Sequence, residues 1–245
     1  MSKTGYLAAA AFYACMLLVT APASLLDALI QRISHERLSL ANCQGTIWHG
    51  SATPILHTGK ESTIALHTLH WQVSAQALLL GKLKVKLGWD DTESVAPMEL
   101  TLSRNTIILN NLLLPLPAEV ISELSPFLKP AQFSGSLTIV SRQLSYTGNR
   151  LQGNATARWI QAGSAMSAVH PLGDYQIDIA AAQDKLRATL STQKGALLLS
   201  GQGSWSPTQK FHFNGTARAT DQAALSELLH HLGPETAPGI FQISL

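Results

Sequence analysis

The sequence predicts a mostly β chain: an extended, curved antiparallel β-sheet or sandwich behind a single N-terminal transmembrane helix, with two short amphipathic helices among the strands. Three observations carry that prediction. Apolar and polar residues alternate over many short stretches. Gly, Asn or Pro breaks separate the stretches at a spacing of about 8 to 12 residues, the pattern of an all-β fold. Only two segments show helical spacing instead.

Taken in order, residues 1–4 form a short tail and residues 5–26 (GYLAAAAFYACMLLVTAPASLL) carry no charge. About 20 apolar residues cross a bilayer core, so this run is long enough to be a membrane anchor. Lys3 precedes it, while Asp27, Arg32, Glu36 and Arg37 balance one another after it. That bias directs the N-terminus to the cytoplasm and everything after residue 26 across the membrane. Ala21-Pro22-Ala23 also has the small-x-small form of a signal cleavage site. The run outlasts an ordinary signal core, and an uncleaved anchor is the preferred reading. Residues 27–43 read as a stalk that turns from helical spacing into a first strand at Leu38–Leu40.

Residues 44–245 read as one β-rich domain. TIALHTLHWQV alternates with a one-residue slip at Thr68, which predicts a bulge or bend. In KLKVKLGW, Leu83, Val85, Leu87 and Trp89 share one face and Lys82, Lys84 and Lys86 the other. Short strands continue to the C-terminus, and Thr147-Gly148-Asn149 is a hairpin signal. The helical exceptions are 116–130, with Val120, Ile121, Leu124, Phe127 and Leu128 at 3–4 spacing, and 220–233. In the second, Leu225, Leu228, Leu229 and Leu232 form a stripe behind a Thr220 or Asp221 cap, and Gly233 ends it. ISELSPFLKPAQFSGSLTI and LSELLHHLGPETAPGIFQISL resemble each other, which suggests two similar halves, about 44–139 and 140–245. The expected core is Trp48, Trp71, Leu83, Val85, Leu87, Ile107, Leu109, Leu137, Ile139, Trp159, Ile177, Ile179, Trp205, Phe211 and Phe213.

The chemistry-bearing residues form no grouped set. Residues after 26 carry 16 Lys and Arg against 15 Asp and Glu, so nothing calls for nucleic acid. The lysine ridge 82/84/86 reads as a solvated face, with anionic lipid head groups as the alternative. Of nine histidines, His67 and His70 point to opposite faces of a strand unless the slip at Thr68 intervenes, and His230 and His231 are adjacent on a helix. Neither pair gains the further ligands that a metal needs. Gly50-Ser51-Ala52 and Gly163-Ser164-Ala165 lack the second glycine of a nucleophile elbow, and Asp90-Asp91 sits in a turn. No enzyme, cofactor or metal is expected. Cys43 is the lone cysteine past the apolar run. A Cys43–Cys43 bridge is the homodimer it would allow, and a buried thiol is the preferred reading.

Glycine and tryptophan recur in ordered phrases: Gly45-x-x-Trp48-x-Gly50, then Trp71 followed by Ala77-Leu78-Leu79-Leu80-Gly81, then Pro171-Leu172-Gly173-x-Tyr175, then Gly203-x-Trp205. Their order and spacing cover nearly the whole chain, and the sequence resembles the type II secretion system protein N family. The resemblance implies an inner-membrane accessory component of the machine that moves folded exoproteins from the periplasm across the outer membrane. It implies no enzymatic activity and no cofactor. The implied partners are other secretion components: the inner-membrane platform, pseudopilus or secretin-linked subunits. A membrane-anchored lipid-binding β-groove is the alternative. In each phrase, glycine is expected to let the backbone bend or approach closely while tryptophan fills the space beneath.

Overall fold

A computed structural model describes residues 6, 12–13, 16–57, 63–90, 96–123, 128–182, 185–207 and 209–244. The chain is mostly antiparallel β, as its alternation predicts, and divides into two compact units, residues 1–103 and 104–245. The seam expected near residues 135–144 lies inside a long strand of the second unit.

In the first unit, helix α1 (Ser24–Ile33) precedes β1 (Leu38–Gly45), β2 (His49–His57), β3 (Thr63–Ala65) and β4 (Leu69–Val73). A five-residue helix α2 (Ala75–Leu79) then leads to β5 (Leu83–Trp89) and β6 (Met98–Ser103). The order is β1-β2-β4-β5-β6, antiparallel throughout, with β3 also on β2. The slip foreseen at Thr68 is the break between β3 and β4, which pair with successive parts of β2. Trp71 stands opposite Gly50 on one side and Leu87 on the other. It is buried with Ala23 and Ala52 under Leu26, Val73, Val85 and Leu87, which places a small core on the face that alternation assigns.

The N-terminal part is described in pieces. Most of the run 5–26 lies outside the described residues, and no helix among those described is long and apolar enough to cross a membrane. Residues 16–19 are helical, but the chain leaves the helix at Thr20, so residues 20–26 belong to no continuous span. Pro22 bridges to Thr46, and residues 24–26 open α1. The segment read as a stalk follows its spacing, helix first and then a strand from Leu38. The Asp27 carboxylate accepts the Leu40 backbone N–H at 2.7 Å and the Gln31 amide at 2.9 Å, fastening α1 to β1.

The second unit holds β7 (Thr106–Pro117), α3 (Glu119–Glu123), β8 (Ser134–Thr147), β9 (Arg150–Gly163), β10 (Gly173–Ala182), β11 (Lys185–Gly195), β12 (Leu197–Ser206) and β13 (Gln209–Ala219). Helix α4 (Gln222–Leu232), β14 (Glu235–Ala237) and β15 (Ile240–Ser244) complete it. Strands β7 to β13 pair in chain order as one meander. β15 then pairs with β13, and β14 lies outside β15. Among the described residues this unit is a single sheet, so of the two architectures foreseen it is the extended one. The Gly148–Asn149 turn has both residues at positive φ, which the two-residue hairpin requires. The first foreseen helix is short: α3 covers five residues, and Leu124 and Phe127 lie outside the described residues. The second is close to its prediction. Asp221 caps α4 by accepting from the N–H groups of Ala223 and Ala224.

The core of this unit is not where alternation alone puts it. Leu225, Leu228 and Leu229 of α4 pack on Leu172, Leu197, Ala217 and Phe241, and Phe241 is fully buried. Leu109, Leu137, Ile139, Trp159, Ile177, Ile179 and Phe213 are half-buried, as is Trp48 in the first unit. Leu83, Ile107, Trp205 and Phe211 are exposed. Alternation identifies the apolar face of a strand, but α4 covers only one end of the face in this unit. Side chains beyond its reach stay open to water.

Candidate functional site: the glycine and tryptophan phrases

The first phrase builds a junction. Gly45 ends β1 at φ +84°, and a Cβ there would lie 2.5 Å from the His49 carbonyl oxygen. Thr46 closes the turn: its N–H donates to the His49 carbonyl at 2.8 Å, and its hydroxyl accepts from the Trp48 and His49 N–H groups. A Cβ on Gly50 would meet the Gln44 carbonyl oxygen at 2.3 Å and the Trp71 ring at 2.8 Å. The tryptophan beneath this turn is therefore Trp71, whose indole N–H donates to the Thr46 carbonyl at 3.1 Å.

Trp48 has another task. Its indole N–H donates to the Leu18 carbonyl at 2.8 Å, at the end of the apolar N-terminal segment. The Ala23 N–H donates to the Gly45 carbonyl, and the Ile47 N–H to the Ala21 carbonyl. Ala21 and Ala23 are both buried. The phrase thus takes the chain leaving the apolar segment through an isolated bridge at Pro22. Cys43, half-buried beside this junction, donates its thiol to the Leu40 carbonyl. Burial, and then the Asp27 charge, push the thiol pKa up, so it stays protonated and unreactive.

Gly81 acts differently. It stands at φ +68° just past α2, with open space around its missing Cβ. Its N–H donates to the Leu78 carbonyl and the Lys82 N–H to the Ala77 carbonyl, the paired bonds of a Schellman cap. Glycine is there for its backbone conformation alone.

In the second unit, Pro171, Gly173 and Tyr175 seat the start of β10. The Leu172 carbonyl accepts from the Ala196 and Leu197 N–H groups, and Gly173 approaches Lys194 and Gly195 too closely for a side chain. The Tyr175 hydroxyl is buried and donates to the Leu197 carbonyl at 3.0 Å. Burial pushes its pKa well above the usual value, so it remains a neutral donor. Trp159 packs between Phe133 and Tyr175. Trp205 does not repeat Trp71: it is 42% exposed, and with Ile179, Leu186, Ala188, Gly203 and Phe211 it lines an open apolar hollow of about 350 Å³.

Asp174, between these residues, accepts the Gln161 backbone N–H at 2.8 Å and lies 3.3 Å from the Lys194 ammonium. The backbone hydrogen bond, then the lysine, hold its carboxyl below the usual range. A carboxylate with a depressed folded-state pKa stabilises above its unfolded value, and that contribution disappears as pH falls through the folded one. Thermal stability is expected to drop on acidification below about pH 4, and Asp174→Asn to flatten that limb. An unchanged acid limb in melts of the variant would refute this role.

Chemistry of other kinds is sparse. Among the described residues no group of three or more His, Cys, Asp or Glu side chains could hold a metal ion. Asp90, expected in a solvated turn, is exposed and bonded to His70, while Asp91 lies outside the described residues. The His70 bond holds the Asp90 carboxyl below its usual range. Ser51 stands opposite His70 in register, and no hydrogen bond joins them. A nucleophile–base contact is therefore missing from this pair.

Comparison with known proteins agrees with the ordered phrases. Residues 36–244 match the profile of the family described as type II secretion system (T2SS), protein N. The type II secretion system protein N of Klebsiella pneumoniae is 26% identical over 229 residues, covering 90% of this chain and 85% of that protein. No solved structure matches. With the match running from the start of β1 to the end of β15, the chain belongs to the type II secretion system protein N family.

Proposed function

We propose that the chain is a single-pass inner-membrane subunit of a type II secretion apparatus, with its N-terminus cytoplasmic and residues after the apolar segment periplasmic. It supports exoprotein export by contact with platform, pseudopilus or secretin-linked subunits rather than by catalysis. The observation that carries this reading is the junction at residues 18–23. The apolar segment is bonded into the first sheet by its own backbone, so a membrane anchor there would hold the β unit in a fixed pose. Buried Ala21 and Ala23 support retention of the segment, since a protease needs that backbone free. The segment's described side chains, Tyr6, Phe12, Tyr13 and Met16 to Val19, are all exposed, as lipid-facing residues would be.

A surface for a partner is present on α1. Leu25, Leu29 and Ile33 recur at every fourth residue and are exposed, an apolar stripe that another helix or groove would cover. Deleting the gene in the native host is expected to lower exoprotein export, and the full-length chain to restore it. Leu29→Glu should fold normally, because the side chain is already in water, and should fail to restore export. Export unchanged by the deletion would refute the reading. A second reading, lipid handling, is favoured by the hollow at Trp205 and Phe211, and lipid retained in native mass spectra of the purified protein would support it.

A further inference from the structure

The Leu79 and Leu80 side chains bury little surface within their own unit. Leu79 and Leu80 are 89% and 79% exposed, and the Schellman cap at Gly81 holds the turn rigidly outward. Such exposure of consecutive leucines has a cost in water that a partner surface would remove. The topology of the first unit shows where the turn points. β4 ends at Val73, whose N–H donates to the Trp48 carbonyl at 2.6 Å, and Trp48 in turn bonds to Leu18. The Ser74 N–H closes on the Lys84 carbonyl, so the α2 turn projects from the same sheet end at which the apolar N-terminal segment enters. Lys82, Lys84 and Lys86 follow at once, stepping away along β5. Lys82 and Lys86 are exposed, and Lys84 pairs with Glu99 at 3.0 Å.

We propose that Leu78–Leu80 is a second membrane contact: the leucines enter the bilayer interface beside the N-terminal segment, and Lys82 meets anionic phospholipid head groups, with Lys86 behind it. Two observations select a bilayer over a protein groove. One is the continuity with the apolar segment at one sheet end, and the other is the charge behind the leucines, which complements an anionic surface. Alternate strand residues are about 7 Å apart, so Lys82 lies at head-group depth while Lys86, two such steps further along β5, stands beyond about one Debye length, 8–10 Å, and contributes less. Each exposed lysine near such a surface adds about fivefold to partitioning and each buried leucine about tenfold or more. Two membrane contacts would reinforce the pose that the backbone junction at residues 18–23 gives the first unit.

The inference rests on the N-terminal segment lying in a bilayer, and the experiment separates the two. The full-length chain, with Cys15→Ser and Cys43→Ser, is reconstituted in vesicles of phosphatidylethanolamine and phosphatidylglycerol carrying brominated acyl chains. An environment-sensitive fluorophore is attached at Leu79→Cys, at Tyr13→Cys in the apolar segment, or at Thr63→Cys, exposed at the opposite end of the sheet. Quenching by bromolipid at positions 13 and 79 but not 63 is the expected result. Lys82→Glu with Lys86→Glu should then lower the lipid-immersed fraction at position 79 about 25-fold or more. Quenching at 13 with a water-exposed label at 79 overturns the second contact and leaves the anchor standing. A label at 79 shielded from aqueous iodide but untouched by bromolipid also overturns it, in favour of a protein occupant. No quenching at 13 or 79 overturns both readings.

Discussion

Phe241→Ala is expected to destabilise the second unit by about 3–5 kcal/mol, the usual range for deleting a fully buried phenylalanine. Phe241 lies on β15 opposite Ala217 of β13, beneath Leu225 and Leu229 of α4, with the His230 ring edge-on at 5.3 Å. Every neighbour is held by backbone pairing or by the helix, so little can collapse into the space left behind. For a chain of this size the loss corresponds to a fall in melting temperature of about 10 °C or more. Phe211→Ala supplies the contrast. With 51% of its surface already in water, Phe211 has less to lose, about 1 kcal/mol by the area that remains buried. Urea or thermal melts of the two variants should differ plainly. Equal losses would show that α4 does not define the core of this unit.

The second large effect is expected at Gly50. A Cβ there would meet the Gln44 carbonyl oxygen at 2.3 Å and the Trp71 ring at 2.8 Å, and the ring is pinned by its own hydrogen bond to Thr46. Backbone on one side and a buried indole on the other leave nothing cheap to move. Gly50→Ala should therefore cost about 2–5 kcal/mol, combining overpacking with displaced turn backbone. It should also loosen the Pro22–Thr46 bridge, read as faster proteolysis after residue 20. Gly203→Ala is the control within the same set of phrases. Its new methyl would sit 3.4 Å or more from Phe213, Phe211 and Ala188, ordinary contact, and the change should stay within about 1 kcal/mol. A Gly50→Ala protein that melts and resists protease like the parent would refute the junction as described.

Much of this was legible in the residues, for identifiable reasons. Strands are written locally, one residue in and one out, and KLKVKLGW or the Gly148–Asn149 turn needs no distant partner to be recognised. Helix α4 was readable because its stripe, its Asp221 cap and its Gly233 stop all lie within the segment. What the pattern could not say was which part of an apolar face would be covered. Trp71 and Trp205 look alike in sequence, each on a short alternating strand. One lies under a hairpin turn and the other beyond the edge of the covering helix, a difference set by tertiary placement alone. The bridge at Pro22 was hidden more deeply. Ala-Pro-Ala beside an apolar run reads as a processing signal, and only the arrival of Gly45 to Trp48 from further along the chain gives its backbone partners. The exposed Leu78–Leu80 turn was quoted as part of a motif, but its meaning depends on which sheet end it leaves.

The meander from β7 to β13 has a consequence for how the second unit is assembled. From β8 on, each strand bonds to its immediate predecessor, so the ladder can grow in the order of synthesis without waiting for remote partners, although 16 residues separate β7 from β8 and nine separate β9 from β10. Its closure cannot. Leu225, Leu229 and Phe241 belong to the final elements, and until they dock on Leu172 and Leu197 the end of the sheet that they cover stands open. The unit is thus quick to elongate and late to seal, and its hazardous interval is the last one. The sheet is then nearly complete, and its apolar end is available to any other unfinished chain.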